Sequence, residues 1–139
     1  MSACWFIDTA FVIALASPRD LHHEVALNLS KRASAEHINL VTSDAILLEI
    51  GAAFSRLAFR ASGIEIIAAL RSDPNVEIVP LKNALVADAV ALFTARTDKE
   101  WSLTDCVSFE LMRLRGITDA LSTDNHFEQA GFAALMRAH

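Results

Sequence analysis

Four acids, Asp8, Glu49, Asp105 and Asp124, are the side chains best placed to do chemistry, although they are scattered along the chain. Asp8 closes an apolar run, CWFI, and Asp124 follows a second one, ALST at 120–123. Asp105 opens a helical stretch that Gly116 stops, with Thr104 or Ser102 as its cap. Glu49 lies about one and a half turns into the helix that begins at Ser43 or Asp44. Carboxylates gathered together repel, by about 4 kcal/mol for a pair ~4 Å apart at an effective dielectric near 20. Protons or cations must answer that cost. An all-oxygen donor set suits the hard ions Mg2+ or Mn2+. One or two such ions can activate water and stabilise the leaving oxygen of a phosphodiester. The chemistry implied is hydrolysis of a nucleic-acid backbone with no covalent enzyme intermediate. Singly, each acid has a plainer reading. Asp105 suits a helix dipole, Asp8 and Asp124 are turn residues, and Glu49 is a solvated helix charge. Their convergence is what needs an architecture.

The pattern supplies one. Strands are expected at Cys4–Ile7, 38–41, 76–79 and 120–123, with a weaker fifth at 132–136. Helices are expected at Thr9–Ala16, 20–35, 44–60, 64–70, 84–95 and from 102 or 104 to 115, with Gly63 breaking one from the next. Strands alternating with helices give an α/β fold, a parallel, about five-stranded sheet with helices on both faces. Ligands of such sheets sit off the carboxyl ends of the strands. Asp8 and Asp124 fall there directly. The Asp105 helix runs antiparallel to the strand it feeds, so its first turn lies at the same edge. Helical side chains lean toward the N-terminus, which lets the longer Glu49 reach back.

Composition narrows the alternatives. The 139 residues fit one domain, and 53% are apolar, which excludes disorder. Twelve Lys and Arg against seventeen Asp and Glu give −5, which disfavours an all-over electrostatic nucleic-acid binder but not an acidic metal site. Cys4 and Cys106 show no metal-ligand spacing and suit a reducing cytoplasm. No apolar stretch is long enough to span a membrane, and Asp8 interrupts the apolar start, which reads as structure rather than a signal peptide. Asp8-Thr9-Ala10 replaces a dinucleotide-binding glycine loop, and no Walker lysine loop or G-x-S-x-G is present. An aspartyl phosphatase would need an acid where Ala10 stands.

Four segments resemble the PIN-domain nucleases, and in particular their bacterial VapC-like toxins. They are Phe6-Ile7-Asp8-Thr9, the stretch from Thr42 to Glu49, the WSLTDCVSF run from Trp101 to Phe109, and Thr123-Asp124-Asn125-His126-Phe127 followed by Ala130-Gly131-Phe132. They occur in the family's order across residues 6–132. The resemblance implies a single PIN domain over residues 1–139 and an Mg2+- or Mn2+-dependent endoribonuclease. It also implies an RNA substrate, a homodimer, and a small antitoxin partner that occludes the site. Asp8, Glu49, Asp105 and Asp124 carry over as metal ligands, with Thr9 and Thr104 as hydrogen-bonding supports. The competing reading is a catalytically silent PIN-like module that binds RNA or protein.

Geometry separates the remaining candidates. On one continuous helix Glu49, Arg56 and Arg60 fall within roughly 40° of each other, a stripe that could lead phosphates toward the acids. His126 reads as a residue fixing its turn, with contact to RNA or a carboxylate as the alternative. His22 and His23 point ~100° apart and read as surface. Trp5 reads as core, and Trp101 packs under the site or against a partner. Helices 44–60 and 64–70 are apolar nearly all round, which predicts burial, in a dimer or antitoxin interface.

Overall fold

The structure is a computed structural model that describes residues 3–137. Five strands, β1 (Cys4–Ile7), β2 (Asn39–Ser43), β3 (Val76–Val79), β4 (Asp119–Leu121) and β5 (Ala133–Ala134), form one sheet in the order β3-β2-β1-β4-β5. Every pairing is parallel. The helices are α1 (Thr9–Ala16), α2 (His23–Ala35), α3 (Asp44–Ala53), α4 (Leu57–Ser72), α5 (Asn83–Ala95), α6 (Leu103–Arg115) and α7 (Asn125–Gln129). The chain grows from β1 outward through β2 and β3, then returns to the other side of β1 for β4 and β5. The strand order therefore reverses between β1 and β4, where an open α/β sheet forms its ligand crevice.

The apolar runs account for the core. Phe6 and Ile7 of β1, Leu121 of β4, Ile46 and Ile50 of α3, Met112 of α6 and Phe127 of α7 are all essentially inaccessible. Each such side chain contributes about 1.5–3 kcal/mol by leaving water. An aromatic group under the carboxyl edge joins α6 to α7. Phe109 meets Trp101 edge-on at 5.1 Å and Phe127 at 5.0 Å, and Phe6 lies 6.2 Å from Phe127. The Trp101 indole N–H donates to Gln129 Oε1 at 3.0 Å, so Trp101 packs within the chain, under the site.

The structure departs from two expectations. The helix expected over 44–60 breaks at residues 54–56, because Arg56 takes an extended backbone (φ −66, ψ 146) and restarts the chain as α4. Gly63 does not break anything. It lies inside α4, where a Cβ would stand 2.6 Å from Phe54 Cβ, so its smallness lets α4 pack on the end of α3. Within the chain α4 leaves Leu57, Phe59 and Ile64 exposed, as α3 leaves Leu48, with Gly63 the one buried residue of α4. Among the described residues no helix is long and apolar enough to cross a membrane.

Candidate metal centre

Asp8 is the first residue past β1, and its backbone N–H donates to Leu121 O of β4 at 3.3 Å. It stands at the N-cap of α1 without capping it. Its side chain turns instead to Ser122, a fully buried residue whose hydroxyl donates to Asp8 Oδ2 at 2.7 Å. The same hydroxyl oxygen accepts the backbone N–H of Asp124 at 3.0 Å. One hydroxyl thus ties the acid after β1 to the acid after β4 across the point where the strand order reverses. A second tie runs from the Thr42 hydroxyl of β2 to Ile7 O of β1, at 2.9 Å.

Glu49 reaches this edge as the topology requires. Ser43 caps α3 through Ile46 N–H, fixing the helix on the end of β2, and the Thr9 hydroxyl donates to the Glu49 carboxylate. Asp105 is set by a capping box: its N–H donates to Ser102 Oγ at 3.0 Å, and Ser102 N–H donates to Asp105 Oδ2 at 3.1 Å. Ser102 is thus the cap, and Thr104, on the first turn, hydrogen-bonds none of the four acids among the described residues. Asp124 caps α7, its Oδ1 accepting His126 N–H at 2.9 Å. The turn swings the His126 ring back, so that Nδ1 lies 3.0 Å from Asp105 Oδ2 and 3.4 Å from Asp124 Oδ2.

The electrostatics follow from burial. Asp8 is pushed up to about 7, mainly because burial disfavours its charged form. The Ser122 hydrogen bond opposes that, while the charges of Glu49 and then Asp105 add to it. Both acids are therefore close enough to act on Asp8. Among the described residues, no Lys or Arg forms an ion pair with any of the four acids. A nearly buried carboxylate with acidic neighbours and no basic partner fits a divalent cation. Asp105, Asp124 and His126 already offer three ligand atoms within 4.8 Å of one another.

The phosphate track expected from Glu49, Arg56 and Arg60 loses its basis. The break at residues 54–56 takes both arginines off the helix of Glu49, and the Arg60 guanidinium donates to Ser55 O at 2.8 and 3.2 Å. Two residues gained importance. Ser122 reads in sequence as the small end of an apolar strand, and its one signal is standing two positions before a site acid. His126 stands two positions after it.

A family profile described as the PIN domain matches residues 5–133. The chain belongs to the PIN-domain family. Among relatives of this PIN domain is the 23S rRNA-specific endonuclease VapC20 of Mycobacterium tuberculosis, 30% identical over 127 residues, covering 91% of this chain and 94% of that protein. The crystal structure of that VapC20, described as a sarcin–ricin loop cleaving toxin, superposes with a TM-score of 0.82 over 95% of this chain and 98% of that one, at 28% identity. VapBC2 from Rickettsia felis, solved on a DNA fragment of its promoter, shares the fold of this PIN domain with a TM-score of 0.71 at 11% identity, covering 94% of this chain and 96% of that one.

Proposed function

We propose that this PIN domain is a metal-dependent endoribonuclease and the toxin of a toxin–antitoxin pair. The observation that carries the reading is the gathering of Asp8, Glu49, Asp105 and Asp124 at one sheet edge with no basic partner. Asp8, Glu49, Asp105 and Asp124 would hold Mg2+ or Mn2+, all-oxygen ligation being the preference of hard ions. When bound, such an ion lowers the pKa of an attacking water and neutralises charge building on the phosphodiester. The chain's own part is to hold the carboxylates at fixed positions. Thr9 orients Glu49, Ser122 orients Asp8 and the Asp124 turn, and the Ser102 box orients Asp105. No side chain is required as a covalent nucleophile.

The mycobacterial relative makes 23S rRNA and its sarcin–ricin loop the first substrates to test. The same reading puts the protein in the cytoplasm with that RNA. For partners we infer a small antitoxin and a second copy of the chain. The exposed Leu48, Leu57, Phe59 and Ile64 of α3 and α4 offer apolar surface for one of them. The test is cleavage of 23S rRNA by the purified protein with added Mg2+ or Mn2+. Wild type is expected to cut, and EDTA or Asp8→Asn to stop it. A wild type that binds RNA as well as Asp8→Asn does, while neither cuts any RNA offered, would favour a silent binding module instead.

A further inference from the structure

We propose that His126 is itself a ligand of this centre, giving it a nitrogen donor and a preference for a first-row transition ion such as Mn2+ over Mg2+. The inference rests on reading the four-acid edge as a metal centre, and adds to it a residue outside the acid set. His126 Nδ1 lies 3.0 Å from Asp105 Oδ2 and 3.4 Å from Asp124 Oδ2. Two ligands at right angles on an ion, with bonds of about 2.1 Å, stand about 3.0 Å apart, and at a tetrahedral angle about 3.4 Å. Both distances from the imidazole nitrogen therefore match ligands sharing one ion, and the three ligand atoms lie within 4.8 Å of one another.

The backbone enforces this. Asp124 Oδ1 is held by His126 N–H at 2.9 Å, so the turn that presents Asp124 also returns the imidazole over it. Asp105 Oδ2 is anchored from the other side by Ser102 N–H at 3.1 Å. The His126 side chain is 24% exposed, so an ion can enter without opening the core. The competing role is a hydrogen bond from the ring to the two carboxylates that orients them without touching the ion. The two roles differ in ion preference. Oxygen suits both ions, but Mn2+, a first-row transition ion, accepts an imidazole nitrogen more readily than Mg2+ does. Losing a nitrogen ligand therefore weakens Mn2+ selectively, and losing an orienting group weakens both ions alike.

The experiment uses the full chain with MnCl2 or MgCl2 alone. Pulsed electron paramagnetic resonance of the Mn2+-loaded wild type is expected to show nitrogen modulation from coordinated imidazole, and His126→Ala to lose it. Calorimetry is expected to show His126→Ala binding Mn2+ at least about tenfold more weakly, with Mg2+ binding changed less than about threefold. Bound Mn2+ without nitrogen coupling, or equal losses for both ions, would overturn the proposal and leave the carboxylate centre standing. A flat Mn2+ titration of the wild type would overturn both. If His126→Ala fails to melt cooperatively, the wild-type spectrum decides alone.

Discussion

Two groups of carboxylates in this molecule meet opposite fates. Away from the carboxyl edge, several acids pair with arginines. Arg115 grips Glu77 through two bonds of 2.7 and 2.9 Å and holds its carboxyl below the usual range. Arg96 takes Asp98 down to about 2, and Arg113 pairs with Glu110 at 2.8 Å. At the carboxyl edge Asp8 is buried, faces Glu49 and Asp105, and is pushed up to about 7. The Asp98 and Glu77 pairs sit in water and need nothing more. Asp8 is costly to ionise as it stands, and that cost is what a metal ion would remove. Acids that destabilise the metal-free fold mark the site more clearly than acids that stabilise it.

The largest expected effect separates function from stability at one position. Asp8→Asn should lower RNA cleavage by at least about a hundredfold, since even losing a group that merely orients a ligand costs 10–100-fold. Without metal at pH 8 the same variant should melt higher than wild type, because Asn has no charge to bury. An Asp8→Asn protein that melts lower under those conditions would break the contrast.

Next comes the pH dependence. The folded Asp8 pKa, about 7, lies above its ordinary 3.8, so the folded state binds the proton more tightly than the unfolded chain does. The stability of the metal-free wild type relative to Asp8→Asn should therefore be highest below about pH 4, fall as pH rises to about 7, and level off above it. At about 1.4 kcal/mol per pH unit the loss amounts to at most about 4 kcal/mol. Denaturant melts from pH 4 to 8 measure it. Added Mn2+ should raise the melting temperature more at pH 8 than at pH 5, because the ion and the proton compete.

Ser122→Ala tests the hydroxyl between Asp8 and Asp124. Hydrogen bonds to charged groups are worth about 1.5–3 kcal/mol, and this one holds the ionised form of Asp8. Its loss should push the Asp8 pKa higher still and move the pH midpoint of Mn2+ binding upward in calorimetry. The smallest effect belongs to the other group. Glu77→Gln breaks an ion pair whose carboxylate side chain is 54% exposed, so it should cost no more than about 1 kcal/mol in denaturant melts and leave Mn2+ affinity unchanged.

How much of this the sequence disclosed follows from where its signals are local. Strand Cys4–Ile7, helix Thr9–Ala16 and strand Val76–Val79 stand as expected, since apolar runs between turn signals bound them. The αL conformation of Gly116, φ 65, ends α6 where a C-terminal glycine should. The proposed set of four acids rests on topology rather than spacing, since each lies past the end of a strand or in the first two turns of a helix at the same sheet edge. What misled was side-chain chemistry standing in for tertiary context. The break between α3 and α4 falls at Phe54 and Ser55, which carry no Gly or Pro signal, whereas Gly63 carries one and is there to admit Phe54. The Arg60 stripe failed with that helix. The apolar residues of α4 face outward within the chain, Leu57 being 92% exposed. The partnership of Ser122 with Asp8 spans 114 positions, and no local pattern encodes it.

The most direct measurement is an anomalous difference map from crystals soaked in MnCl2. A peak is expected at the carboxyl edge, bounded by the carboxylates of Asp8, Glu49, Asp105 and Asp124. Those side chains pointing apart, with no peak between them at millimolar Mn2+, would contradict it.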